Sequence, residues 1–145
     1  MHTNPSDEEM RQLLVGAGTI AMVGASSDPE KPSYAIMRKL QQVGYRVIPV
    51  NPRETEVLGE KAFGSLEEIP DPVDIVDVFR RAEDTPPIAD QAVRIGAKAL
   101  WLQNGISNEE TAARAKAGGL LTVMDACIAV MHTLLRVPKK NSGGS

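Results

Sequence analysis

The sequence predicts an α/β domain built on a parallel β-sheet with helices on both faces. Short, almost continuous apolar runs recur along the chain, which is typical of strands buried on both faces. Between these runs lie stretches with apolar residues at helical spacing, so strands and helices alternate. With 145 residues the chain is long enough for one such domain and too short for two of full size.

Capping residues and glycines mark the ends of the predicted helices. Ser6 and Glu9 form a capping box at the start of the first helix, and Gly16 ends it. Gly44 ends the second helix and Gly96 the third, because glycine is favoured just past a helix terminus. The predicted helices are 7–15, 34–40, 86–95, 108–117 and 128–135.

The apolar runs between these helices predict five strands. Asn51-Pro52 ends the second strand, and the segment 56–64 that follows is predicted to be irregular, with a small extended arm. Ser65 and Glu68 predict one helical turn before Pro70. The predicted strands are 19–23, 46–50, 73–79, 99–102 and 120–124.

Right-handed crossovers connect such strands into a doubly wound, Rossmann-like sheet. Counting along the chain, we expect five main strands in the order 3-2-1-4-5. Ligands of this architecture bind beyond the carboxyl ends of the strands, so we expect a site near the switch between the first and fourth strands. The domain is predicted to span residues 1–138, and residues 139–145, rich in lysine, serine and glycine, to form a disordered tail.

Composition excludes several classes of function. A net charge of −3 argues against binding to long nucleic acid or to an anionic membrane, and 3% aromatic residues are too few for base-stacking platforms. The single cysteine excludes an intrachain disulfide and makes a reducing compartment the default. Because we find no apolar signal core or membrane-spanning run, we expect a cytoplasmic protein.

The loop after the first strand has the composition of a phosphate-binding turn. Gly24 permits a sharp turn, Ala25 leaves room for close approach, and Ser26 and Ser27 offer hydroxyl and amide donors near a helix start. A plain tight turn is the alternative. Lys31, between two prolines, can reach a diphosphate or remain a solvated surface residue.

The glycine fingerprint of dinucleotide-binding proteins is missing, since one glycine follows the strand where three are required. The second strand ends at Asn51-Pro52-Arg53, which offers a cation instead of the acidic residue that holds an NAD ribose. A cation there disfavours NAD and suits an additional ribose phosphate, as in NADP or coenzyme A (CoA).

Polar residues also follow the remaining strands. At most one of Arg80 and Arg81 is expected to serve a ligand, because nearby acids are alternative partners. Gln103 and Asn104 offer neutral donors and acceptors. Cys127 precedes the last helix, where a thiol can be reactive, although a buried cysteine acting as a small apolar residue is commoner. No catalytic residues and no metal site are predicted.

Motifs in matching order connect the chain to a known family. They run from about Gly16 to Leu135 and read VGAS, KPSY, VIPVNP, VLGEKAF, SLEEIP, PVDIVDVFRR, IGAKALWLQNGI and VMDACI. On these motifs the chain resembles the small stand-alone CoA-binding proteins. Those proteins are similar to the N-terminal CoA-binding domain of the succinyl-CoA synthetase α subunit.

The resemblance implies a CoA site at the strand ends. The implied residues are Gly24, Ala25, Ser26 and Ser27 at the diphosphate, with Lys31 and Tyr34 near it; Asn51, Pro52 and Arg53 at the adenosine 3′-phosphate; Val78, Phe79 and Arg80 beside the adenine or pantetheine; and Gln103, Asn104 and Gly105 along the pantetheine arm.

We therefore expect a protein that binds CoA or an acyl-CoA without catalysing ligation, as a carrier, sensor or regulator. Cys127 is a candidate thiol for a mixed disulfide with CoA. Two alternatives stay open at this point: an NADP-dependent oxidoreductase, and a detached subunit of an acyl-CoA synthetase that works with a nucleotide-binding partner. A homodimer is also compatible with the sequence.

Overall fold

The computed structural model describes residues 1–140. The helices are α1 (Asp7–Gly16), α2 (Pro32–Gln42), α3 (Pro86–Arg94), α4 (Glu109–Ala117) and α5 (Ile128–Leu134). The strands are β1 (Thr19–Val23), β2 (Arg46–Val50), β3 (Glu56–Val57), β4 (Glu60–Lys61), β5 (Ile75–Val78), β6 (Ala99–Leu102) and β7 (Leu121–Val123). Short 3₁₀ turns lie at Leu66–Glu68 and Ala82–Asp84.

A parallel sheet in the order β2-β1-β5-β6-β7 forms the middle layer. Buried residues of α1, α2 and α5 pack on one face, and those of α3 and α4 pack on the other. The predicted Rossmann-like α/β class is therefore confirmed. The irregular segment after β2 contains the antiparallel pair β3-β4, where the sequence predicted a small extended arm.

The strand order differs from the predicted 3-2-1-4-5. Counting the five parallel strands along the chain, the order is 2-1-3-4-5, because β5 pairs with β1 instead of lying outside β2. Ile20 lies opposite Ile75 in this pairing, and Val23 opposite Val78. The switch point therefore lies between β1 and β5, and its prediction between the first and fourth strands was wrong.

The outer edge of β2 is covered by the connection that follows it. The Phe63 amide donates to the Pro49 carbonyl at 3.0 Å, and the Asn51 amide donates to the Phe63 carbonyl at 2.8 Å. Pro49 has no N–H for a further strand, and a proline within a strand is typical of an edge position. Pro49 was the sequence signal that places β2 at the edge, whereas β5 is buried at all four residues, as a central strand requires.

The core consists of two apolar layers separated by the sheet. Leu14, Met37, Leu40 and Ile128 are fully buried on the face covered by α1, α2 and α5. Trp101 lies in the same layer, and its indole N–H donates to the Ala126 carbonyl at 2.8 Å. Each of the four leucine, methionine and isoleucine side chains contributes about 1.5–3 kcal/mol to the stability through its removal from water.

The end of the described chain packs against the start of β2. The Lys140 amide donates to the Val43 carbonyl at 2.8 Å, and its ammonium group donates to the Val15 carbonyl at 2.7 Å. A Cβ on Gly44 would lie 2.6 Å from the Lys140 Cβ, so this approach requires a glycine. The sequence predicted a disordered tail over residues 139–145. Lys140 lies in that range and makes the contacts described above, while residues 141–145 lie outside the described residues.

Within residues 1–140, no helix has both the length and the apolar character needed to cross a membrane.

Asp77 places a carboxyl group inside the sheet. It is fully buried in β5, beside Met22 of β1 and Trp101 of β6. Neither carboxyl oxygen has a hydrogen-bond partner of acceptable geometry within residues 1–140. Burial raises the pKa of Asp77 well above its usual value, and the adjacent Val78 amide offsets this only in part. Burial therefore favours the neutral form of this carboxyl in the folded protein.

We predict that Asp77 makes the stability fall as the pH rises. The folded state retains a proton that the unfolded chain releases above the usual pKa of 3.8. The free energy of unfolding therefore decreases from that pH upward, until the raised pKa is passed. Asp77→Asn removes this titration, so above pH 3.8 its Tm should vary less with pH than that of the wild type.

The control is Asp71→Asn, which removes an exposed carboxyl paired with Arg46 at 2.9 Å. We expect this variant to keep the wild-type dependence of Tm on pH. An unchanged pH dependence in Asp77→Asn, measured by thermal denaturation, would contradict the assignment.

Candidate functional site

An open cleft of about 520 Å³ lies at the carboxyl ends of β1, β2 and β5. This volume falls within the usual range for small-molecule sites. The chain segments that follow β1, β2, β5 and β6 all contribute to it. The lining residues are Gly24, Ser26, Lys31, Pro32, Ser33, Asn51, Arg53, Phe79, Arg80, Arg81 and Ile106.

Gly24 allows the loop after β1 to turn close against the end of β5. Its φ of +89° lies in the left-handed region, and a Cβ there would be 2.4 Å from the Phe79 carbonyl oxygen. The next two amides, those of Ala25 and Ser26, donate no hydrogen bond to any residue within 1–140. The turn therefore has two successive backbone donors without a partner in the described chain, and Ser26, which carries one of them, lines the cleft. Successive free amides of this kind can bind anions.

The start of α2 lines the same cleft. Lys31 occupies the N-cap position without a side-chain hydrogen bond, Pro32 begins the helix, and its first turn contains no acidic residue. By contrast, α1 and α4 each have a side-chain cap and acidic residues in the first turn. The partial positive charge at the start of α2 is thus left available to an anion.

The lining of the cleft is cationic although the chain has a net charge of −3. Lys31, Arg53, Arg80 and Arg81 contribute to it, and no aspartate or glutamate does. Arg81 pairs with Asp84 at 3.3 Å, while the other three form no ion pair within residues 1–140. The cleft therefore has unneutralised positive charge for a ligand with several negative charges.

Two hydrogen bonds tie the loop after β1 to the loop after β2. The Asn51 side-chain amide donates to the Ala25 carbonyl at 2.9 Å, and the Ser27 amide donates to the Glu54 carboxylate at 2.9 Å. Asn51 also accepts from the Arg53 amide at 3.0 Å, which fixes the turn that carries Arg53. Asn51 thus positions both loops from the end of β2.

Seven of the fifteen cofactor residues predicted from the sequence line the cleft. They are Gly24, Ser26, Lys31, Asn51, Arg53, Phe79 and Arg80. Four others adjoin them in the same loops and elements: Ala25 is fully buried beneath the turn, Ser27 and Pro52 are exposed, and Tyr34 is half-buried in the first turn of α2. Their contacts with a ligand stay predictions.

The remaining four predicted cofactor residues do not line the cleft. Val78 is fully buried, and its side chain belongs to the layer beneath α3 and α4. Gln103 is buried, and its carbonyl oxygen accepts from the Ile128 amide at 3.2 Å. Asn104 and Gly105 are exposed after β6. Because β5 separates β6 from β1, the chain after β6 reaches the cleft through Ile106 instead.

The sequence did not predict Pro32, Ser33 or Ile106 as residues that line the cleft. It named Arg81, which also lines the cleft, only as the alternative to Arg80. A proline at the first helical position was a usable signal for the start of α2. The sequence contained no such signal for Ile106, because the position of Ile106 at the cleft depends on the order of the strands in the sheet.

The candidate thiol Cys127 is partly buried at the N-cap of α5 and does not line the cleft. A mixed disulfide with CoA therefore has no geometric support beyond the thiol's partial exposure, and it stays a prediction.

Comparisons with known proteins indicate the same family as the sequence motifs do. Residues 18–133 match the family described as the CoA binding domain. YneT of Bacillus subtilis (strain 168), an uncharacterized protein, is 41% identical over 133 residues, which cover 92% of this chain and 98% of YneT. The solved structure of a hypothetical protein from Pyrococcus horikoshii OT3 superposes with a TM-score of 0.88 at 37% identity and covers 94% of this chain and 99% of that one.

Part of the chain is also similar to a much larger enzyme subunit. The α subunit of the ADP-forming acetate–CoA ligase II of Pyrococcus furiosus is 49% identical over 57 residues. This stretch covers 39% of the present chain and 12% of that subunit. The family predicted from the motifs is thereby confirmed: the chain belongs to the CoA-binding domain family and is related to α subunits of ADP-forming acetate–CoA ligases.

Proposed function

We propose that the protein binds CoA or an acyl-CoA in the cleft at the ends of β1, β2 and β5. The observation that carries the proposal is a cationic cleft without an acidic lining residue. It is bordered by the start of α2, which has no side-chain cap, and by the loop after β1, whose Ala25 and Ser26 amides donate no hydrogen bond within residues 1–140. Membership of the CoA-binding domain family supports CoA over other anions.

The diphosphate of CoA suits the turn after β1. The amides of Ala25 and Ser26 and the start of α2 supply donors and partial positive charge, and Lys31 adds a full charge next to them. The hydrogen bonds from the loop amides and from the start of α2 need no side-chain rearrangement, because these donors belong to the backbone. The diphosphate would lie across the opening of the turn at Gly24.

The adenosine 3′-phosphate of CoA accounts for the cation after β2. Arg53 lines the cleft from the turn fixed by Asn51, and its guanidinium has no acidic partner within residues 1–140. A guanidinium binds phosphate through two parallel hydrogen bonds. Phe79 and Ile106 provide apolar surface in the same cleft for the adenine or the pantetheine.

A second candidate function follows from the ligase relatives. The matched stretch covers only 12% of the P. furiosus ligase α subunit, so the chain can be proposed as a CoA-holding module that acts with a separate nucleotide-binding subunit. Co-purification with such a subunit would favour this candidate. Tight CoA binding by the isolated chain, with no partner recovered, would favour the stand-alone role.

We predict that CoA raises the Tm more than dephospho-CoA, NADP or NAD at equal concentration. A ligand that binds only the folded state adds about 2.7 kcal/mol of stability at a hundredfold excess over Kd. Thermal denaturation with the four ligands in parallel measures the difference. A shift with NADP and none with CoA would contradict the proposal and revive the oxidoreductase alternative.

Arg53→Ala should weaken CoA binding by about 1.5–3 kcal/mol through loss of a charge-assisted contact, and dephospho-CoA binding much less. Calorimetric titration with both ligands provides the comparison. The matched control is Arg38→Ala, since Arg38 is exposed on α2 outside the cleft lining. If both ligands lost the same affinity, Arg53 would have no role at the 3′-phosphate.

A further inference from the structure

Glu54 already binds an amide of the loop that follows β1. The Ser27 N–H donates to the Glu54 carboxylate at 2.9 Å. Ser27 is one of the residues that the family resemblance assigns to the CoA diphosphate. A carboxylate of the chain thus occupies a donor that a phosphate oxygen would use, because both accept charge-assisted hydrogen bonds from backbone N–H groups.

The backbone around Glu54 keeps it in this position. The Glu54 amide donates to the Asn51 carbonyl at 3.1 Å, and the Asn51 side chain reaches the Ala25 carbonyl at 2.9 Å. Glu54 is half-buried between the two loops. Its carboxylate therefore faces the turn after β1 because the turn after β2 is fixed there.

The charge of Glu54 is not neutralised by a side chain. Within residues 1–140 it forms no ion pair, although Arg53 precedes it and is also without an acidic partner. A negative charge consequently remains beside a cleft whose lining carries four cations and no acid. Glu54 and Ser27 do not line the cleft themselves, but each directly follows a residue that does, Arg53 and Ser26. A polyanion that extends from the cleft to the Ser27 amide would have to displace this carboxylate.

We infer that Glu54 is a built-in competitor of the ligand phosphates. Its carboxylate holds the Ser27 amide in the unliganded protein, and it lowers affinity for anionic ligands by competition and by like-charge repulsion. The inference rests on the proposed CoA-binding function and adds a determinant of affinity to that site.

A purely structural strap between the two loops would behave differently. Glutamine keeps a carbonyl oxygen that accepts from the Ser27 amide, but it removes the charge. A strap predicts unchanged CoA binding in Glu54→Gln, whereas a charged competitor predicts tighter binding. The charge-neutral substitution therefore separates the two roles without deleting the connection.

The experiment compares wild type, Glu54→Gln and Glu56→Gln by calorimetric titration with CoA and with uncharged pantetheine. We expect Glu54→Gln to bind CoA roughly fivefold more tightly, the equivalent of about 1 kcal/mol for two unit charges 4 Å apart in water. Pantetheine binding should be the same in all three proteins. Glu56→Gln controls for net charge, because Glu56 is exposed on β3 and forms no side-chain hydrogen bond or ion pair within residues 1–140.

CoA affinity that is unchanged or weaker in Glu54→Gln, with CoA bound normally by the wild type, would overturn this inference and leave the proposed function standing. An equal gain for pantetheine would also overturn it, since the effect would not depend on ligand charge. Failure of all three proteins to bind CoA would overturn the proposed function and the inference together.

Discussion

The position of β1 between β2 and β5 is the constraint on which the site depends. The connections that leave β2 and β5 form the two sides of the cleft, and the chain leaving β1 must pass between them. At that point Gly24 lies so close to the Phe79 carbonyl that no side chain fits, and its backbone adopts a left-handed conformation. Only glycine fits at this turn, and the amides of Ala25 and Ser26 that follow it have no hydrogen-bond partner within residues 1–140.

The electrostatics of the site follow from this geometry. The turn leads directly into α2, whose start has no acidic residue and no side-chain cap, while α1 and α4 have both. Cations on the connections after β2 and β5 add full charges around the same opening. Under the proposed function, a diphosphate would bind these backbone donors without ordering flexible side chains. Glu54 opposes this positive charge, because its carboxylate accepts a hydrogen bond from the Ser27 amide and so stays beside the cleft.

Much of the fold could be predicted from local patterns, but the order of the strands could not. Apolar runs and capping residues located β1, β2 and β6 at their observed bounds, since burial on both faces leaves a plain signal. Strand order depends on which edge each connection covers. Pro49 marked β2 as an edge strand, yet the contact of Phe63 with that edge joins residues far apart in the chain. The error moved the expected site toward Gln103, whereas the cleft is reached by Ile106.

The proposed function depends on backbone amides at the end of β1 and the start of α2 as the groups that hold the ligand diphosphate. Titration of ¹⁵N-labelled protein with CoA, with amide chemical shifts as the readout, identifies these groups residue by residue. If these amides hold the diphosphate, the largest shifts will occur at Ala25, Ser26 and Ser33, with smaller changes at α4. If the largest shifts instead occurred around α5 or β7 and the loop after Gly24 were unaffected, these amides would not be the diphosphate site.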